Sequence, residues 1–160
     1  MAIRKIFKIS DEFELSVLRK KSRPVEAFDA RLEQLINDMK DTLKKADGAG
    51  LSAVQVGVLK RLFIIIDEKG EMVEFINPEI LEASGENPIL EEGCLSVPGK
   101  YGKVMRPNKV KIRAYNKKGE KFDREFVGFF AKAICHESDH LDGILYIDKQ
   151  IKKEKQAGEK

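Results

Sequence analysis

The chain has 160 residues, with 30 Lys or Arg against 27 Asp or Glu and a formal net charge of +3. That length suits one domain with a real core. No run of about 18 apolar residues occurs, which excludes a membrane-spanning helix, and two cysteines are too few for a disulfide framework.

The start, Met1-Ala2-Ile3-Arg4-Lys5, lacks the apolar run and cleavage site of a secretory signal. A reducing cytoplasm is therefore the expected location. Charge is unevenly spread: residues 67–92 hold nine acidic side chains and one Lys, and residues 100–124 hold ten basic and two acidic. The simpler reading is two solvated sheet faces drawn together by opposite charge. The competing reading, a nucleic-acid surface, lacks the aromatic interleaving such surfaces carry.

In chain order, Pro24 reads as a helix opener, because its missing N–H costs nothing in a first turn. Val25, Phe28, Leu32, Leu35, Ile36, Met39 and Leu43 then recur at spacings of mostly three and four, predicting an amphipathic helix that ends near Asp47-Gly48. The next segment, Gly48-Ala49-Gly50-Leu51-Ser52-Ala53-Val54-Gln55, is a weak signal alone, since it lacks the third glycine of a dinucleotide fingerprint. Arg61 to Ile66 is rich in β-branched residues and reads as a buried strand. After the turn Asp67-Glu68-Lys69-Gly70, Met72 to Ile76 returns as a second strand.

Lys109 to Tyr115 alternates, with Val110, Ile112 and Ala114 on one face. Asn116-Lys117-Lys118-Gly119 turns it into a strand near Phe122. A second helix, about 126–141, ends before Gly143, and the tail Ile151 to Lys160 is lysine-rich. The expected fold is α+β: mostly antiparallel β-sheets around a central helix, plus the N-terminal amphipathic helix. The expected organisation is a single catalytic domain over 1–150 and a tail over 151–160.

The second helix carries the chain's only two histidines, in His136-Glu137-Ser138-Asp139-His140. At i and i+4 the two imidazoles share one helix face and can grip one divalent metal. Glu137 between them suits a general base that later acts as an acid. A catalytic site of this type takes a third protein ligand and leaves one position open. Cys94, in Glu91-Glu92-Gly93-Cys94-Leu95-Ser96, follows a glycine that lets the backbone approach closely. Cys135 is the other thiol, but adjacent helical residues point about 100° apart, so it reads as packing rather than as a ligand beside His136. Thiolate and imidazole donors suit Fe(II), Zn, Ni or Co rather than Mg or Ca. Asp139, Glu91 and Glu92 could orient the ligands or simply be solvated.

Three ordered segments, GAGLSAVQ, EGCLS and HESDHLDG, resemble those of the peptide deformylases over nearly the whole chain. Ser52 stands where alanine is more usual. The resemblance implies removal of the formyl group from the N-terminal formyl-methionine of newly made polypeptides, with Fe2+ the favoured metal. It implies that Gln55 and the backbone N–H of Leu95 stabilise the oxyanion. An extended peptide would add a strand beside Ala49-Gly50 and Gly93. Phe129, Ala133 and Leu90 would form the pocket for the methionine side chain. Many members carry a basic residue soon after the cysteine motif, a position Lys100 and Tyr101 approach here. The expected partners are the formylmethionyl peptide and, transiently, the ribosome, with neither membrane nor DNA.

Two other readings compete. A zinc metallopeptidase of the HExxH type would draw its third ligand from downstream, where Asp142, Asp148 and Glu154 are available. A non-enzymatic metal module would close its site with four protein ligands.

Overall fold

The computed structural model describes residues 2–86 and 90–151. Its helices are α1 (Glu12–Leu18), α2 (Ala30–Ala46), α3 (Phe129–Leu141) and α4 (Tyr146–Lys149). Its strands are β1 (Gly50–Ser52), β2 (Leu62–Ile66), β3 (Met72–Ser84), β4 (Leu90–Cys94), β5 (Val97–Val104), β6 (Lys109–Tyr115) and β7 (Lys121–Val127). Five strands form one antiparallel sheet in the order β1-β2-β3-β6-β7, and β4 and β5 form a separate antiparallel hairpin. The mixture of helix and antiparallel sheet is as expected.

The large sheet is covered on both faces, and β2 shows why. Leu62 and Ile64 join Leu32, Ile36, Met39 and Leu43 of α2 in one core. Phe63 and Ile65 join Ala131, Ile134 and Leu141 of α3 in another. Alternate residues point to opposite faces, so a strand buried on both sides reads as a continuous apolar run. Each such side chain contributes about 1.5–3 kcal/mol on full burial. Phe63 and Phe75 add a stacked pair with ring centroids 5.0 Å apart.

The amphipathic helix begins later than Pro24. Its N-cap is Asp29, whose side chain accepts from Leu32 N at 3.0 Å. The reason lies 52 positions from Val25 along the chain. Asn77 takes both backbone groups of Val25, accepting from its N at 2.8 Å and donating to its O at 2.9 Å. Those groups are then unavailable to a helix. Asn77 also bends β3: its φ is 50° and the β3–β6 register shifts between Ile76 and Glu79. The strand passes through this bulge to Ser84 instead of stopping at Ile76.

The second helix begins at Phe129 rather than 126, because Gly128 (φ 63°) ends β7 and turns the chain. The oppositely charged segments do meet, through Arg124 with Asp67 and Glu68 and through Arg106 with Glu92. The lysine-rich tail falls almost wholly at 152–160, outside the described residues. Among the described residues no helix is long and apolar enough to cross a membrane.

Candidate active site

The cavity beside α3 is about 390 Å³ and is bounded by the Gly48–Gly50 segment, by β4 and its turn, and by one face of α3. Phe129, Lys132, Ala133 and His136 line it from the helix, at the i, i+3, i+4 and i+7 spacing of a single face. His140 continues that face one turn further along and is buried.

Cys94 ends β4, just before the turn Leu95-Ser96 that leads into β5. Its Sγ lies 3.3 Å from His140 Nε2, and His140 Nε2 lies 3.2 Å from His136 Nε2. All three donor atoms fall within 4.8 Å of one another. A tetrahedral metal at about 2.1 Å from nitrogen and about 2.3 Å from sulfur would separate its ligands by about 3.3–3.6 Å. The three side chains therefore fit one divalent ion. Cys135 points elsewhere: it packs in the core between α3 and the sheet, where burial pushes its thiol up to about 11.

Behind the donors lies a buried polar chain. His136 Nδ1 is 2.5 Å from Glu92 Oε1. Arg106 grips Glu92 through Nε at 3.2 Å and Nη2 at 2.7 Å, and reaches Asp139 through Nη1 at 2.7 Å. Lys149 closes the chain on Asp139 at 3.1 Å. Burial alone would raise the Glu92 carboxyl, but His136 and Arg106 outweigh it and hold it down at about 2. Burial, and then the neighbouring His136, hold His140 well below its ordinary value. Glu92, left open by the sequence, thus braces His136, and Asp139 braces Arg106 behind it. Arg106 had no sequence signal: it lies in the connection between β5 and β6, and only the folded chain brings it to Glu92.

Glu137 is buried against β1, and burial raises its carboxyl above the ordinary range. Ser52 Oγ lies 2.7 Å from its Oε1. A Cβ on Gly50 would stand 2.7 Å from its Oε2, so only glycine leaves that oxygen room. Gln55 is fixed from both ends. Its Oε1 accepts from Ser52 N at 2.9 Å, and its Nε2 lies 3.1 Å from Ser96 Oγ and 3.6 Å from Cys94 Sγ. Leu95 and Gly93 line the same cavity.

β1 is an edge strand. Ala49 O accepts from Ile66 N at 3.0 Å, and Gly50 sits opposite Ile65. By antiparallel alternation, the Gly50 N–H and C=O point away from β2, toward the cavity. Opposite them, the β4–β5 register shifts between Glu92 and Cys94. That shift carries Lys100 and Tyr101 to the rim, with Tyr101 covering Gly93 so closely that a Cβ there would meet its ring at 2.7 Å.

Two expectations fare differently. Leu90 opens β4, but its side chain falls outside the described residues. The downstream acids proposed for a metallopeptidase are engaged elsewhere: Asp142 with Arg61 and Asp148 with Arg19, while Glu154 lies outside the described residues. Lys132 was missed because a lysine on an amphipathic helix reads as solvent-facing, yet here it is buried.

The family model for polypeptide deformylase matches residues 3–156. A peptide deformylase of Clostridium botulinum is 56% identical over 153 residues, covering 96% of this chain and 100% of the relative. A crystal structure of a peptide deformylase from Legionella pneumophila superposes with a TM-score of 0.86 at 45% identity, covering 94% of this chain and 88% of that one. A structure of the Acinetobacter baumannii enzyme described as Met-Ala-Ser bound gives 0.84 at 34% identity, covering 92% and 98%.

Proposed function

The chain belongs to the polypeptide deformylase family, whose members remove the N-formyl group from new polypeptides, and from that premise we infer that Cys94, His136 and His140 hold its catalytic metal. The family depends on a metal, and the convergence of these three donors beside Glu137 is the observation that carries the assignment. Two imidazoles and one thiolate suit Fe2+, Zn2+, Ni2+ and Co2+ alike, and it is the family resemblance that favours Fe2+. Such an ion supplies Lewis acidity, lowering the pKa of water toward neutrality and polarising a carbonyl.

The residues of the chain do the rest. Glu137 takes a proton from the attacking water on Oε2, the oxygen that Gly50 leaves open, and passes it to the leaving amine. Ser52 holds Oε1 so that the carboxylate cannot rotate away. The Gln55 amide and the Leu95 N–H donate to the developing oxyanion. Glu92, fixed by Arg106, orients His136, and Asp139 ties the same arginine to α3.

The peptide lies extended along Gly50 and pairs with its outward N–H and C=O, with Ala49 and Gly93 flanking it. Its methionine side chain enters the space beside Phe129 and Ala133. The bound Met-Ala-Ser of the Acinetobacter baumannii enzyme supports a product-like peptide in this groove. Residues 1–150 act as one catalytic domain, with α3 as its central helix and α2 as its amphipathic N-terminal one. The enzyme works in the cytoplasm on ribosome-borne chains, apart from membrane and DNA.

The deciding assay is formate release from formyl-Met-Ala-Ser by the metal-loaded enzyme. Cleavage of internal peptide bonds in unformylated peptides, without formate release, would overturn the reading in favour of a metallopeptidase.

A further inference from the structure

The pocket for the first side chain is not wholly apolar. Lys132 stands four residues before His136 and lines the cavity with Phe129 and Ala133. It is only 8% exposed. Its Nζ donates to the Glu91 carbonyl at 3.1 Å and lies 5.0 Å from the centre of the Phe129 ring. The side chain therefore bridges α3 and β4 along one wall of the cavity.

An ammonium carries three donors. The Glu91 carbonyl takes one, and the Phe129 ring face attracts the charge without accepting a full hydrogen bond. A thioether is a weak acceptor and gives such a group little. A buried cation beside it keeps an unmet desolvation cost. A sulfoxide oxygen, in contrast, is a strong acceptor at the same place along the same unbranched side chain.

We propose that Lys132 is a specificity-determining residue that admits N-formyl peptides beginning with methionine sulfoxide as well as methionine. The proposal rests on the reading that this pocket takes the first side chain. The sulfoxide is a bystander in the reaction. Water adds across the formyl C–N bond, formate and the free amine leave, and sulfur keeps its oxidation state. New chains whose initiator methionine has been oxidised would then still be deformylated.

The test compares kcat/KM for formyl-Met-Ala-Ser and for the same peptide carrying methionine sulfoxide, using the metal-loaded enzyme. In the parent, the two values should lie within about tenfold of each other, since the added oxygen finds a donor. In Lys132→Met, which has similar length and no donor, the preference for the thioether should grow by roughly tenfold or more, the size of a charge-assisted hydrogen bond. Lys132→Arg should restore most of the sulfoxide activity.

If Lys132 is only a strap between α3 and β4, Lys132→Met slows both peptides equally and leaves their ratio unchanged, which overturns the proposal. A parent enzyme that prefers the thioether by more than about a hundredfold overturns it without any variant. No formate from either peptide overturns the deformylase reading along with this one, whereas turnover of formyl-Met with an unchanged ratio in Lys132→Met overturns this one alone.

Discussion

Ser52 Oγ lies 2.7 Å from Glu137 Oε1 and 3.1 Å from the Glu137 carbonyl oxygen. One hydroxyl proton thus serves two acceptors on a single residue, and the carboxylate is tethered to β1 across 85 positions of sequence. A hydrogen bond to the ionised form of a carboxylate favours ionisation. Here it opposes burial, which pushes Glu137 up.

Removing that donor should move the carboxyl further upward. In Ser52→Ala the acid limb of the kcat/KM profile should shift to higher pH, while the rate at alkaline pH changes little. A limb that stays in place, or moves to lower pH, would show that Ser52 does not bond the working oxygen.

Glu137→Gln should keep the metal, since Cys94, His136 and His140 are untouched, and lose turnover by about 10²–10⁴-fold, the usual contribution of a general acid–base group. Metal analysis and formate release on the same preparation decide it. Activity within a few-fold of the parent removes Glu137 from the proton path.

The histidine pair and Cys94 were legible because each part of the signal is local: an i, i+4 spacing on a helix and a cysteine after a glycine. What holds them was not. Glu92 reaches His136, and Arg106 reaches both Glu92 and Asp139, across β4, the β5–β6 connection and α3, a packing that no short motif encodes. The same distinction explains the misplaced helix start. Pro24 follows a sound local rule, yet Asn77 captures Val25 from another element and the rule loses. β3 running past Asn77-Pro78 is the other side of that event, because the bulge absorbs the proline that would otherwise end the strand.

The two cysteines should separate cleanly in a labelling experiment. Cys94 lines the cavity and is the proposed metal donor, whereas Cys135 is buried with its thiol pushed up to about 11. The thiolate is the reactive form. Native protein at pH 8 should therefore resist alkylation at both positions while metal is bound. Removing metal with a chelator should expose Cys94 alone, and peptide mapping by mass spectrometry would show it. Alkylation of Cys94 at the same rate with and without metal would refute its role as a ligand.

Glu92 should leave a mark on acid stability. Its folded carboxyl sits at about 2 against an ordinary 4.5. A depressed carboxyl stabilises the fold fully above about pH 4.5 and loses that contribution as pH falls toward 2. The full effect is on the order of 3 kcal/mol. Glu92→Gln also leaves the buried Arg106 short of a counter-charge. Urea midpoints of metal-free protein should differ most between parent and variant near pH 6 and draw together only as pH falls through about 2. A difference that does not shrink with acid would mean that Glu92 acts through packing rather than charge.

Gln55 offers the sharpest test of how the oxyanion is held. Its amide is oriented without ambiguity, because Oε1 accepts from a backbone N–H, that of Ser52, at 2.9 Å. The NH2 group then faces Ser96 Oγ at 3.1 Å and Cys94 Sγ at 3.6 Å. Sulfur is the weaker acceptor, so the N–H on that side is the one most available to a developing oxyanion beside it. Losing one oxyanion donor costs about 10²–10³ in kcat, or roughly 2.7–4 kcal/mol. Gln55→Ala should show that loss on formyl-Met-Ala-Ser with metal content intact. Gln55→Glu separates donation from positioning: it keeps the acceptor for Ser52 N but has no NH2, so it should be at least as slow. Binding of the deformylated product should weaken far less in both variants, because it develops no oxyanion. If Gln55→Glu turns over like the parent, the amide serves only to brace the turn at Ser52. If Gln55→Ala raises KM and leaves kcat intact, the contact belongs to the ground state and the oxyanion assignment fails.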